Sequence, residues 1–358
     1  MAQKIIDKKN PLSFHINVSG FDVSDFLPAE ESEKQSMVVM RESVNFWKDG
    51  ARRFRKNTLG MVSLAVIIAI IIFAFIVPLP YPYSYEEQIR GSENLGLMQY
   101  SKDELARKET GESVFPHVFG TDSLGRDYMI RIMMGSRISL LVGIIASTII
   151  LLIGSTYGAV AGYFGGKVDM IMMRLVDIIY TVPDILIIIL LSVTLKYPLK
   201  HLAETIPGFN WINTVGVGLI SIFVVFSLLY WVGMARIVRS QILTLKEQDF
   251  ITAAKALGAS HSRIIKKHLL TNCIGTLIVT TTLQIPSSIF TESFLSFLGM
   301  GVNAPMPSLG SLASQALGGI TSYPHRLFLP AITISLIILS FNLLGDGLRD
   351  AFDPKLKN

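Results

Sequence analysis

Long apolar segments alternate with shorter polar ones along most of this chain. A bilayer core about 30 Å thick needs about 20 helical residues at a rise of 1.5 Å each. Six segments are long and apolar enough to cross such a core. The pattern therefore predicts an all-α fold, a polytopic membrane protein with six transmembrane helices. The expected spans are 59–77, 138–162, 170–195, 213–235, 273–297 and 327–345.

The composition supports a membrane protein and excludes several other classes. Half of the residues are apolar and only 16% are charged, which is more apolar surface than a soluble chain of this length needs. Cys273 is the only cysteine, so an intrachain disulfide is impossible, and the six histidines lack the spacing of metal ligands. We therefore expect no metal, cofactor or catalytic site in this chain. The net charge of +5 does not indicate nucleic-acid binding, because the basic residues gather beside the apolar spans.

The distribution of Lys and Arg predicts the orientation. These residues are concentrated before the first span, between the fourth and fifth, and after the sixth, which places both termini in the cytoplasm. The resulting division is a cytoplasmic tail 1–57, a first transmembrane helix 58–78, an extracytoplasmic loop 79–136, a five-helix core 137–350 and a cytoplasmic tail 351–358. We also expect segments 196–212 and 300–326 outside, an amphipathic helix at the outer interface over 128–137, and a re-entrant or interfacial segment over 293–324.

Residues 249–272, here called the insert, form a polar, basic interruption between the fourth and fifth spans. Phe250, Ala254 and Leu257 recur at i, i+4 and i+7, which predicts an apolar stripe on a short helix. Gly258 suits the end of that helix, and Ser260 suits the cap of a second one. An ordered helical loop of this kind indicates a docking surface for another protein. The alternative is a basic loop held at the lipid headgroups.

Two acidic residues within the predicted spans are candidates for the translocation path, because charge is expensive inside a membrane. Asp184 follows Pro183 near the middle of the third span, and Glu292 lies late in the fifth. For Asp184 the alternative is a buried partner for a polar group on another subunit. For Glu292 it is bracing of the uncharged segment that follows. Arg174 and Asp177 stand three residues apart and are expected to pair.

The chain lacks the features of the competing functional classes. It has no G-x-x-x-x-G-K-[ST] sequence: Gly166–Lys167 is followed by Val168, and Ala161 stands where the first glycine would be. ATP is therefore expected to be bound and hydrolysed elsewhere. An intramembrane enzyme would need a nucleophile with its base or a metal site, and the spans contain no histidine. An ion-coupled transporter or channel would need a charged filter or paired inverted spans, and intramembrane charge is too sparse for either.

The insert resembles the EAA loop of ABC-transporter permeases, the segment that receives the ATP-hydrolysing subunit. Ala253, Ala254 and Gly258 match its pattern, and the spacing to His268-Leu269-Leu270 is kept. Thr252 and Thr271 replace the usual Glu and Pro, so a specific salt bridge to the ATPase at residue 252 is not expected. The resemblance implies that the following residues couple this chain to an ATPase: Phe250, Ala253, Ala254, Leu257, Gly258, Ala259 and Arg263.

Four further blocks resemble the oligopeptide/dipeptide permease "C" subunits. They are Phe119–Asp127 (FGTDSLGRD), Trp231–Arg236, Glu292–Gly299 and Asn342–Asp350, in the same order as in that family and within a resemblance covering about residues 48–356. The resemblance implies the type I ABC importer fold in the cell membrane, a heterodimer with a homologous permease, two cytoplasmic ATPases that bind ATP and magnesium, and an extracytoplasmic peptide-binding protein. The implied cargo is an oligopeptide or dipeptide; nickel or another small solute is the alternative within the family.

Overall fold

The computed structural model describes residues 46–302 and 305–352. The predicted tails therefore lie largely outside the described residues, at 1–45 and 353–358. The chain divides into two units, 1–48 and 49–358, and the contacts below all lie within the second. In the described ranges the backbone is helical apart from turns and two isolated bridges, Gln99 with His117 and Thr121 with Asp127.

The helices of the described residues are numbered in chain order. They are α1 Phe46–Phe54, α2 Thr58–Ile71, α3 Lys102–Glu109, α4 Tyr128–Phe164, α5 Gly166–Thr181, α6 Asp184–Thr205, α7 Trp211–Val215, α8 Val217–Leu229, α9 Trp231–Leu245, α10 Asp249–Ala256, α11 His261–Arg263, α12 Leu270–Asn272, α13 Ile274–Phe297, α14 Leu309–Ala316 and α15 His325–Phe352. Wider turns, Ile72–Ile76 and Ile264–Leu269, extend α2 and α11, and a tight turn, Leu317–Gly319, extends α14.

Six helical segments in the described residues are long and apolar enough to span a bilayer, which confirms the predicted number. They are Thr58–Ile76, Tyr128–Phe164, Ile185–Thr205, Val217–Leu245, Ile274–Phe297 and His325–Phe352. The first, fourth, fifth and sixth of these segments each begin or end within a few residues of the expected position. The second and third differ in ways that have physical causes.

The amphipathic interfacial helix expected over 128–137 is not separate from the second span. Both form α4, a continuous helix of 37 residues. The Asp127 side chain caps its start by accepting a hydrogen bond of 3.0 Å from the Ile130 amide. Its first turns are buried in protein, because Gly135 lets α4 approach α14 so closely that a Cβ there would lie 3.1 Å from the Leu309 amide nitrogen. Residues 128–137 are therefore the first turns of the second spanning helix and not a separate element.

The third predicted span, 170–195, is broken at Pro183. Helix α5 ends at Thr181 and α6 begins at Asp184, because proline has no amide hydrogen to continue a helix but is well tolerated at a helix start. Helix α6 then runs through Pro198 to Thr205, so most of the expected outer loop 196–212 is helical. The expected pair of Arg174 with Asp177 is also replaced: Asp177 accepts a hydrogen bond of 2.9 Å from Arg236 on α9.

The uncharged segment 293–324 folds back against the helix bundle. Ser308 and Ser311 form a reciprocal cap at the start of α14. Gly310 packs so tightly that a Cβ there would lie 2.0 Å from the Ser293 carbonyl oxygen. Helix α14 is thus held against α13 by a glycine that no larger residue could replace without moving the backbone, and the segment is shielded by protein.

Candidate functional site

The insert has the helix–glycine–helix form that its sequence indicates. Helix α10 ends in a Schellman motif: the Ala259 amide donates to the Ala254 carbonyl at 3.0 Å and the Gly258 amide to Lys255 at 2.9 Å. Gly258 has φ +79°, a conformation that costs little only without a Cβ. The Ser260 hydroxyl then caps α11 by accepting from the Arg263 amide at 3.4 Å. These local bonds give the insert a defined shape.

The predicted apolar stripe of α10 is divided between two faces. Ala254 is buried with Ile251, and both lie against the core of the protein. Phe250 is 40% exposed and Leu257 is 88% exposed. Isoleucine at 251 supplies the inward contact, because it lies three residues before Ala254 on the same face of the helix. The insert is therefore anchored to the protein by Ile251 and Ala254, whereas Phe250 and Leu257 are exposed on its outer face.

The presented face of the insert has the chemistry of a docking surface. Exposed large apolar side chains mark interaction sites when they are grouped and bordered by polar residues. Ala253 and Gly258 are exposed and small, Ala259 is half-buried, and Arg263 is exposed on the neighbouring turn. A partner can thus approach the backbone closely beside the projecting Leu257 side chain. All seven residues assigned to coupling lie in this short region, and six of them, all but Ala254, are at least partly accessible.

Polar contacts attach the insert to α4. The Tyr163 hydroxyl and His261 Nδ1 share a hydrogen bond of 2.7 Å, and Lys255 Nζ lies 5.8 Å from the centre of the Tyr163 ring. Just before the insert, Lys246 Nζ donates to the Gly162 carbonyl at 3.1 Å. Helix α4 is therefore contacted both by the insert and by the residue Lys246 just before it, so a displacement of the insert would strain its contacts with α4.

A row of glycines lets α4 and α9 pack closely. At Gly154, Gly158 and Gly162 an added Cβ would lie 2.3–3.0 Å from atoms of α9. This is the small-residue packing typical of membrane helices. Glycines at four-residue spacing within an apolar segment are the sequence signal of this packing, and the row was not among the predicted functional features.

An ion pair fastens α5 to α9 next to this row. Arg239 Nε lies 2.5 Å from Asp169 Oδ1 and Arg239 Nη2 lies 2.5 Å from Asp169 Oδ2, a bidentate arrangement. The hydrogen bonds from Arg239 lower the pKa of Asp169 below its ordinary value. The ion pair thus joins the first turn of α5, which directly follows α4, to α9, the helix that leads into the insert.

The break between α5 and α6 borders a cavity of about 540 Å³. We call it the Pro183 cavity. Its walls combine α5, α6, α8, α9 and α13, with polar groups from Tyr180, Tyr230, Gln284 and Ser287 among apolar ones. Asp184 is the first residue of α6, directly after Pro183. An acidic residue at this position is also favoured by the helix dipole.

Glu292 lies inside the protein rather than on a wall of this cavity. Its side chain is fully buried, and it accepts hydrogen bonds from Ser139 at 2.8 Å, Ser296 at 2.7 Å and Ser293 at 3.3 Å. Ser296 in turn accepts from the Val302 amide at 3.1 Å. This geometry favours the bracing alternative over contact with cargo. Across the described ranges, no three His, Cys, Asp or Glu side chains converge to hold a metal ion.

Comparisons with known proteins agree with these features. Residues 151–358 match the family described as binding-protein-dependent transport system inner membrane component, and residues 45–97 match the N-terminal TM domain of oligopeptide transport permease C. The oligopeptide transport system permease protein OppC of Bacillus subtilis is 41% identical over 93% of this chain and 97% of its own length. The dipeptide transport system permease protein DppC of the same organism is 42% identical over 93% of both chains.

A third relative is named for a different cargo. The glutathione transport system permease protein GsiD of Pectobacterium atrosepticum is 37% identical over 68% of this chain and 74% of its own. The family match covers more than half of the chain, and the OppC and DppC relatives are each aligned with 93% of it. This chain therefore belongs to the inner-membrane permease components of binding-protein-dependent ABC transport systems.

Proposed function

We propose that this chain is a permease subunit of an ATP-driven importer that moves oligopeptides, including dipeptides, into the cytoplasm. The observation that carries the proposal is the similarity to OppC and DppC over nearly the whole of each chain. The glutathione transport relative is also named for a peptide-like cargo.

The partners follow from the form of the insert and from the family. Its exposed face, with Leu257 and Phe250 projecting beside Gly258, fits a cleft on a cytoplasmic ATPase. The transporter would contain two such ATPases, a homologous permease that supplies the other half of the pathway, and an extracytoplasmic peptide-binding protein. ATP and magnesium would be held by the ATPases, and this chain would bind no cofactor and catalyse no reaction.

We infer that the insert and both termini lie in the cytoplasm, and that 79–127, 196–212 and 300–326 lie outside. The Lys and Arg asymmetry supports it, since positively charged loops are retained on the cytoplasmic side. The Pro183 cavity would then lie between the two faces and form part of the pathway. Its mixture of polar and apolar walls suits a cargo that is recognised elsewhere and only passes through.

Transport by the reconstituted complex tests this proposal. Proteoliposomes containing this chain, its partner permease, the ATPases and the binding protein would be supplied with labelled peptides of two to eight residues, with glutathione, or with ⁶³Ni²⁺. ATP-dependent accumulation of peptides is the expected result. Accumulation of nickel without any peptide would contradict the proposed cargo, and ATP-independent uptake driven by an ion gradient would contradict the proposed class.

A further inference from the structure

A second cavity lies at the other end of the molecule from the insert. It encloses about 380 Å³ and is lined by residues from four segments, including Asn94, Asp122, Gln315, Gly318 and Arg326. We call it the outer chamber. It lies where the 79–127 segment, the start of α4, the end of α14 and the start of α15 meet. The FGTDSLGRD block, which has no role in the coupling surface, supplies one wall.

The Arg326 side chain lines the outer chamber with hydrogen-bond donors that have no partner. The residue is only 7% exposed. Its Nη1 donates to Asn94 Oδ1 at 2.8 Å, and its guanidinium lies 4.2 Å from the centre of the Tyr323 ring. The Nε and Nη2 atoms have no hydrogen-bond partner among the described residues. Buried polar atoms are nearly always paired in native proteins, so these two donors indicate a ligand.

The surroundings of Arg326 carry more positive than negative charge. Arg131, only 1% exposed, lies beside Asp122, with Nε 3.5 Å from Oδ2. Asp122 is already occupied, because it accepts from Arg126 Nε at 2.7 Å and from the backbone amides of Leu124 and Arg126. Two guanidinium groups therefore already share this carboxylate, and Arg326, which lines the same chamber, forms no ion pair of its own among the described residues. A buried cation without a compensating anion is strongly unfavourable, which favours an anionic ligand over a neutral one.

The geometry of the free donors identifies the class of anion. Nε and Nη2 lie on one edge of the planar guanidinium, and their two N–H bonds point in parallel. That edge matches the two oxygens of a carboxylate and binds it in a bidentate manner. The cation–π contact with Tyr323 and the bond to Asn94 hold the guanidinium plane in place, so its free edge needs little ordering when a ligand arrives.

We propose that the outer chamber binds a carboxylate presented by an acidic side chain of the extracytoplasmic binding protein. This inference rests on the proposed function and orientation, which place the chamber on the face that the binding protein meets. Cargo is a less suitable source of the carboxylate, because the outer chamber shares no lining residue with the Pro183 cavity. A charged group of the partner that is buried at such a site strengthens binding and also fixes the position of one protein relative to the other.

The first test measures docking. The affinity of the binding protein for the assembled transporter in nanodiscs would be determined for the unmodified complex and for Arg326→Gln. Loss of one member of a buried charge pair should weaken binding about 30-fold. Arg107→Gln is the matched control: it makes the same change of charge in the 79–127 segment, which also lines the outer chamber, but Arg107 is exposed and paired with Glu112 at 2.7 Å. This control should change affinity less than about threefold.

If Arg326→Gln does not assemble, a second variant tests the same site independently. Gly318 lines the outer chamber, and an added Cβ there would meet open space. Gly318→Glu would place a carboxylate inside the chamber and leave Arg326 intact. It should weaken docking of the binding protein and at the same time maintain or raise the Tm of the complex. Unchanged docking in either variant overturns the proposal.

A small carboxylate separates the two possible sources of the ligand. Succinate should raise the Tm of the unmodified complex and compete with the binding protein, whereas its neutral dimethyl ester and the Arg326→Gln variant should show neither effect. If succinate binds but docking is unaffected, the chamber takes a free carboxylate and its assignment to the binding protein is wrong. Peptide uptake by the unmodified complex is measured in parallel, and its absence would contradict the proposed function rather than this site.

Discussion

The Tyr163 hydroxyl and the His261 imidazole, 98 residues apart in the chain, share a hydrogen bond of 2.7 Å. Tyr163 is in the last turn of α4, and His261 begins α11 inside the insert. Both belong to the region through which the insert would pass a movement to the membrane helices. The bond is thus positioned to transmit a displacement of the insert to α4.

Tyr163→Phe should loosen this connection without removing the aromatic packing. The expected result is a twofold to tenfold rise in ATP hydrolysed per peptide transported, equivalent to about 0.5–1.5 kcal/mol for one hydrogen bond. Tyr157→Phe is the control: its hydroxyl donates to the Met172 carbonyl at 2.8 Å, on the same helix but away from the insert. Equal ATP-to-peptide ratios in the two variants would contradict a role of the Tyr163 bond in coupling.

Gly258→Val should uncouple hydrolysis from uptake. At φ +79° with no neighbour within 4 Å, the added side chain would strain the backbone without causing a clash, at a cost of about 1–2 kcal/mol. Relieving that strain would alter the turn that positions Leu257. Peptide-stimulated ATPase activity and uptake are the measurements.

The control for Gly258 is Gly299→Val, since Gly299 has φ +77° and the same open surroundings but lies at the end of α13. It should lower stability by a similar amount and leave coupling intact. Undiminished uptake and peptide-stimulated hydrolysis in Gly258→Val would exclude the insert turn as a coupling element.

The sequence was a good guide to the number of spans and a poor one to their ends. Six spans follow from apolar length alone, because a bilayer imposes that length on any crossing helix. The 37-residue α4 did not follow, because the burial of its first turns depends on α14, about 180 residues later in the chain. A proline such as Pro183 disfavours a continuous helix, but whether the result is a kink or a break into two helices depends on how α5 and α6 pack.

The same distinction applies to the insert. Gly258 and Ser260 were predicted correctly as helix end and helix cap, because both roles depend on neighbouring backbone groups. The division of the apolar stripe was not predicted, since Ile251 and Phe250 are equally apolar and only the surrounding core decides which one faces inward. The bond from His261 to Tyr163 carries no local signal at all.

Impermeant maleimide labelling tests the orientation. In a Cys273→Ser background, single cysteines would replace Leu105 and Phe250, which are 46% and 40% exposed. From outside intact cells, we expect labelling at residue 105 and none at 250 until the membrane is permeabilised. Labelling of residue 250 but not residue 105 would reverse the proposed topology.

Glu292→Ala should destabilise the protein. It removes the acceptor for hydroxyl groups on two helices, Ser139 on α4 and Ser296 on α13, and leaves a buried void, at a combined cost of about 2–4 kcal/mol. Glu292→Gln keeps an acceptor at nearly the same volume and should lose less. Thermal unfolding in nanodiscs measures both. A fully stable Glu292→Gln protein that no longer transports peptides would instead restore Glu292 as a pathway residue.

Asp184→Asn tests whether the acidic residue at the start of α6 acts on cargo. A carboxylate inside a membrane protein is costly unless it is hydrated or paired. Its place directly after Pro183, which lines the cavity, would allow hydration in the pathway and a transient partner in the ammonium group of a peptide. Such an interaction should be weak, because a tight site would retain the cargo. Uptake of peptides with a free amino end should therefore slow more than uptake of their N-acetylated forms.

Two measurements separate this role of Asp184 from a structural one. Glu204→Gln removes a charge from the other end of the same helix, where the side chain is exposed, and should affect free and acetylated peptides equally. Copurification with the partner permease should be unchanged in Asp184→Asn, since asparagine keeps the size of the side chain and one of its acceptor oxygens. If assembly fails instead, Asp184 is a contact between the two permeases, and the difference between free and acetylated peptides has no basis in this residue.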